Sequence, residues 1–215
     1  MWPVTFDAAP AHPAARVAAV ALVAVALRLL DDVVDREADR ATGRPNWAEV
    51  LGPATTAYAL AGLAAAAALS TRDALSLFWA GYAWGMAHDG PARLPLGLTA
   101  RQETVLAVGL SLATVGLADT LGALALVGSV QLLDDWLDLR ADRQLAAPGA
   151  VPRNWAGRLG RVEAFLLGVA LGLAAAARDP LQAVTAWAVA AVFMTRGARR
   201  GGYPVPPGPG GWPPE

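Results

Sequence analysis

Seven apolar runs, near residues 15–30, 51–70, 74–88, 102–118, 120–133, 163–177 and 180–195, alternate with short charged or Pro/Gly-bearing breaks. Ala, Leu and Val occupy all sides of these runs at helical spacing, and no stretch alternates polar and apolar residues as a half-exposed strand does. Helices that are apolar all round belong in a large core or in a membrane. The breakers fall where helices should stop: Arg44-Pro45, Ser70 to Asp73, Gly90-Pro91 and Asp179-Pro180. The pattern predicts an all-α, multi-spanning transmembrane bundle of about seven helices. Residues 1–200 read as one domain, and GGYPVPPGPGGWPPE (201–215) as a disordered Pro/Gly-rich tail.

Length weakens the membrane reading and composition strengthens it. A spanning helix needs about 20 residues, and only Val50 to Thr71 clears that mark unaided. The shorter runs must borrow polar flanks or sit in a thinned bilayer. Yet the 215-residue chain is 55% hydrophobic and 16% charged, where soluble domains carry about 25% charged residues. A net charge of −1 gives no basic excess, so no nucleic-acid partner is expected. All basic residues are Arg, and the absence of Cys removes thiolate metal sites, disulfides and Cys nucleophiles. The start, MWPVTFDAAPAHP, lacks the basic residues of a signal peptide.

Arginine placement then supplies an orientation. With every run spanning and the N-terminus outside, Arg36, Arg40, Arg44, Arg93, Arg101, Arg140, Arg143, Arg153, Arg158, Arg161, Arg196, Arg199 and Arg200 fall in the cytoplasm. Arg16, Arg72 and Arg178 fall outside, and Arg28 lies within a helix. Such a bias is the positive-inside signature. The same alternation brings the ends of the first and fifth runs to the cytoplasmic face of an inner membrane.

Those two ends carry the chemistry. LLDDVVDREADR (Leu29 to Arg40) and LLDDWLDLRADR (Leu132 to Arg143) agree at eight of twelve positions. Asp32, Asp35 and Asp39 are spaced three and four apart, as are Asp135, Asp138 and Asp142, which stacks each trio on one helical face. Asp31 and Asp134 lie about 100° off those stripes. Carboxylates so placed repel by a few tenths of a kcal/mol per pair on an isolated helix, and by more near a bilayer. A hard divalent cation held by oxygen ligands relieves this, and Mg2+ suits a few carboxylates that share it with phosphates. One such cluster reads equally well as a solvated helix end with pairs such as Asp32–Arg36. Two near-copies on one predicted face favour a shared function.

These residues resemble the UbiA superfamily of intramembrane prenyltransferases. The family's first motif, NDxxDxxxD followed by DR and RP, is similar to Asp31 to Asp39 (DDVVDREAD) with Arg40 and Arg44-Pro45. Its second, DxxDxxxDR, is matched by Asp135, Asp138, Asp142 and Arg143, and GRLGR (Gly157 to Arg161) looks like the family's ending before the next helix. HDGPARLPLG resembles a degenerate YS-PP-x-RLK segment, with Arg93 at its basic position. The likeness spans roughly Val17 to Ala190. It departs from the family in having about seven helices rather than about nine, in Asp31 for Asn, and in Pro95 where a Lys is expected.

The resemblance implies Mg2+-dependent transfer of an isoprenyl group from an isoprenyl diphosphate to a hydrophobic, aromatic or lipid acceptor. Asp32, Asp35, Asp39, Asp135, Asp138 and Asp142 would be metal ligands, and Asp31, Arg40, Arg93 and Arg143 would contact substrate. The shortened ring would leave its cavity open to membrane lipid or to closure by a second copy. Two alternatives stay open. A terpene cyclase or isoprenyl diphosphate synthase uses the same two aspartate-rich helices without a membrane, and membrane fractionation separates it. A non-catalytic cation-binding membrane protein needs no prenyl substrate. His88 reads as an interfacial cap ahead of a general base. Trp47 and Trp155, in RPNW and PRNW, read as headgroup-level anchors. Tyr82 and Trp84 read as packing residues, and Asp119 as an outer turn.

Overall fold

A computed structural model describes residues 11–42, 45–89, 92–94, 97–145 and 154–199. Its elements are all helical: α1 (Pro13–Val34), α2 (Arg36–Thr42), α3 (Trp47–Leu51), α4 (Ala54–Leu69), α5 (Thr71–Asp89), α6 (Ala100–Val115), α7 (Leu117–Leu145), α8 (Trp155–Leu159), α9 (Arg161–Arg178) and α10 (Pro180–Arg199). Every apolar run becomes one long helix, and three short helices appear between them. The tail at 201–215 lies outside the described residues.

Local chemistry sets the ends. His12 Nδ1 accepts from the Ala14 amide ahead of Pro13 in the first turn of α1, and Thr99 and Gln102 form a capping box on α6. Gly116, at φ 83°, separates α6 from α7, which only a residue without a Cβ does cheaply. The break therefore falls at Gly116, and Asp119 sits inside the first turn of α7.

The packing inverts the usual soluble arrangement. Most buried apolar side chains are alanine, among them Ala19, Ala59, Ala66, Ala123, Ala164 and Ala183. Large side chains point outward: Leu60, Val105, Leu106, Leu121, Leu166, Leu173 and Val184 are all more than half exposed. Small residues let helix backbones approach closely, and exposed apolar faces of this extent mark interaction surfaces. Among the described residues one helical stretch, Leu117–Leu139, is long and apolar enough to cross a membrane, at 23 residues and mean hydropathy 1.3. α4 and α6, with 16 residues each, reach only about 24 Å at 1.5 Å per residue.

Gly128 shows how tight the packing is. A Cβ there would overlap the Trp84 indole, whose Nε1 donates to the Leu124 carbonyl at 2.8 Å and fixes the ring. Gly128→Ala should therefore lose about 1–3 kcal/mol, as overpacked cores do. Gly109 faces open space, so Gly109→Ala should keep the parent's thermal midpoint. Equal midpoints for the two variants would refute this packing.

Ion pairs fix the direction of the helices. Arg16, near the start of α1, meets Asp73 of α5 through Nε at 2.8 Å and Nη2 at 2.9 Å, and also Asp179 just before α10. Arg72 of α5 and Arg178 at the end of α9 both pair with Asp119 of α7. The N-terminal ends of α1, α5, α7 and α10 are thus gathered at one end of the bundle. The aspartate-bearing C-terminal parts of α1 and α7 lie at the other.

Candidate functional site

The two LLDD segments head two copies of one local structure. After each, the chain turns back and a backbone amide meets the second aspartate: Trp47 N donates to Asp32 Oδ2 at 2.9 Å, and Trp155 N donates to Asp135 Oδ2 at 2.7 Å. Asn46 caps α3 through the Ala48 amide, and Asn154 caps α8 through the Gly157 amide. Each five-residue helix then ends on a glycine of positive φ, Gly52 at 59° and Gly160 at 107°, and enters the helix that packs back on its own aspartate-bearing helix. The repeat therefore extends beyond the aspartates to RPNW and PRNW.

Within the first copy the aspartates differ in role. Asp32 is 1% exposed and anchors the start of α3. Asn46, itself buried, donates Nδ2 to the Asp32 carbonyl at 2.7 Å and to Asp39 Oδ2 at 2.8 Å, which aims the Asp39 carboxylate. Asp35 interrupts the helix between α1 and α2, so the predicted single two-turn stripe is bent there. Its side chain and that of Asp31 are exposed. In the second copy α7 runs unbroken through the cluster, so Asp135, Asp138 and Asp142 share one face as predicted. Asp138 is exposed, and the Asp142 side chain lies outside the described residues, as does that of Arg143.

Arg28 pairs within the first cluster. Its Nη2 lies 2.9 Å from Asp32 Oδ1, and its Nη1 3.3 Å from Asp31 Oδ2. The charge of Asp134, from the second cluster, acts on both Arg28 and Asp31, and that of Asp39 acts on Arg28.

The remaining expectations divide. Arg40 pairs with Glu49 Oε2 at 2.7 Å and Arg36 with Oε1 at 2.6 Å, so Arg36 binds Glu49 rather than Asp32. Together they hold the Glu49 carboxyl below its ordinary range. Arg93 is exposed in a tight turn closed by Gly97, where Leu94 N donates to the Leu98 carbonyl at 2.9 Å. The His88 side chain lies outside the described residues. Trp155 packs edge-on against Trp84, with ring centroids 5.7 Å apart, and Trp47 packs against Leu29 and Ala59. Both tryptophans thus make packing contacts as well as starting helices. Tyr82 donates to the buried Glu103.

The donor chemistry suits Mg2+. All side-chain donors are hard carboxylate oxygens, and the buried Asp32 Oδ1 has no aligned hydrogen bond despite its nearness to Arg28. Among the described residues no three acidic or imidazole groups are gathered at ligand spacing. Sequence reasoning left Arg28, Asn46 and Asn154 without roles. The paired Asn-Trp after each cluster was the available signal for the two asparagines, and an arginine inside an apolar run was the signal for Arg28. No family model, curated protein or solved structure matches the chain.

Proposed function

We propose that the protein is a multi-spanning, Mg2+-dependent intramembrane prenyltransferase acting on an isoprenyl diphosphate at the end of the bundle where α1 and α7 present their aspartates. The observation that carries this reading is the duplicated aspartate module, in which Asp32 and Asp135 each receive the backbone amide of a following tryptophan. The aspartates of the two copies would hold Mg2+, which would supply neutralisation of the negative charge that develops on a leaving diphosphate. Asp35 and Asp138 are exposed on the two copies and offer carboxylate oxygens. Asp32 and Asp135 hold α3 and α8 in place behind them. Arg93, exposed near the same end, adds a charge-assisted donor for phosphate oxygen. The apolar helices receive the prenyl tail and exclude water from the allylic carbon. The outward Leu, Val and Phe side chains favour this over a soluble cyclase with the same motifs.

Membrane topology provides the test. Single Cys substitutions at Thr42 and Ala92 should react with an impermeant reagent from the cytoplasmic side, and one at Thr71 from the opposite side. Labelling of Thr42 and Thr71 positions from the same side would end the multi-spanning reading.

A further inference from the structure

We propose that Arg158, Arg161 and Trp136 form a seat for the headgroup of an anionic phospholipid, in the leaflet that borders the aspartate end of the bundle. The inference rests on the multi-spanning reading and adds a lipid partner to it. Two guanidiniums lie there on two indoles. The Arg158 guanidinium carbon is 5.6 Å from the Trp155 ring centroid, and that of Arg161 is 5.4 Å from the Trp136 ring centroid. Trp136 packs in turn on Phe165 of α9, with centroids 5.0 Å apart. Both arginines are exposed. A guanidinium over the face of a Trp ring is held in place while its donors stay available.

The first copy of the repeat shows what this set is not for. Aligned on the LLDD segments and on the Asn-Trp pairs, it has Val33 for Trp136, Val50 for Arg158, Pro53 for Arg161 and Ala57 for Phe165. It nevertheless makes the same fold-back on an aspartate, the same asparagine cap and the same five-residue helix ending on a glycine of positive φ. The local structure therefore does not require these four residues. The copies also differ in charge. Glu49 engages Arg36 and Arg40 in the first, whereas Gly157 stands in the place of Glu49 in the second.

The surroundings choose the partner. Val162 and Leu166, 63% and 59% exposed, follow Arg161 on α9, and Val169 and Leu173 continue their face away from the aspartate end. A ligand for this surface is anionic at one end and apolar along its length. A phospholipid meets both demands: its phosphate oxygens take donors from the two forks, and its acyl chains lie along α9. Indole rings suit the headgroup level at which it sits. The neighbouring carboxylates leave the seat open. Asp135 accepts from the Trp155 amide, and the Glu163 carboxylate lies back against Gly160. Asp138 stands about 200° round α7 from Trp136.

Native mass spectrometry of the detergent-solubilised full chain, titrated with dioleoylphosphatidylglycerol or dioleoylphosphatidylcholine, tests this. The parent should bind its first phosphatidylglycerol about tenfold more tightly than phosphatidylcholine, as two basic residues near an anionic headgroup provide. Arg158→Gln/Arg161→Gln should bring the two affinities within about twofold of each other. Arg101→Gln, which removes another exposed arginine at the same end, should keep the preference. Circular dichroism of the double variant should match the parent, since the first copy folds without either arginine; lost helical content would make the two residues structural and overturn the seat. Equal affinities of the parent for the two lipids, or a loss in Arg101→Gln as large as in the double variant, overturns the seat and leaves the multi-spanning reading standing. A preference that inorganic pyrophosphate with Mg2+ removes assigns the arginines to a diphosphate and overturns the lipid seat as well. A chain that stays in solution without detergent and binds neither lipid overturns both.

Discussion

Asp35→Asn and Asp138→Asn are each expected to lower kcat/KM for diphosphate release from a prenyl diphosphate by about a hundredfold or more, near 2.7 kcal/mol of transition-state stabilisation. EDTA should abolish the parent's activity. Both side chains are exposed, and circular dichroism should show the helical content of the parent in both variants. The double variant should be scarcely worse than either single one, because residues acting as one assembly lose it at the first substitution. Losses that simply add would make the clusters separate cation sites, in favour of a non-catalytic cation-binding protein. Activity undiminished by EDTA would remove the metal.

The largest effect on stability is expected at the other end. Arg16→Ala strips the bidentate partner from Asp73, a carboxylate 1% exposed that keeps only Ser70 and Gln182 as side-chain donors. Leaving one member of a buried pair uncompensated costs about 3–5 kcal/mol. Arg72→Ala removes a side chain that is 55% exposed, and such pairs are worth about 0–1 kcal/mol. Thermal unfolding of the purified protein should therefore separate the two variants clearly. Similar midpoints would mean that the Arg16 contacts contribute no more than surface pairs. Arg16→Lys should recover only part of the loss, because an ammonium cannot reproduce the fork.

The long helices were legible because each apolar run is uninterrupted and each break carries a proline, a glycine or a charge pair. The shared direction of α1 and α7 was legible too, since alternation of the runs fixes it. α3 and α8 were not read, although Asn46 and Asn154 are strong N-cap residues, each followed by a glycine six residues on. Five residues form too short a helix to announce itself by periodicity. The division of labour among the aspartates was out of reach for another reason. Whether Asp32 faces a ligand or the Trp47 amide depends on a chain reversal 15 residues away, which spacing along one helix cannot show. The bend at Asp35 escaped in the same way, for the heptad-like spacing continues through it.

The contacts of Arg16 also impose a timetable on biogenesis. Its partner Asp73 lies 57 residues downstream and Asp179 163 residues downstream. At about 5–20 residues per second of synthesis, the first partner emerges within seconds, and the second only after roughly ten to thirty. The opening helix is thus ionically satisfied in two instalments, and the ribosome has made most of the described chain before the later one can act. A chain truncated at the end of α9 would keep the Arg16–Asp73 pair while missing Asp179 and the Gln182 side-chain amide. Cellular quality control would meet such a product as a bundle whose first helix is docked but not locked.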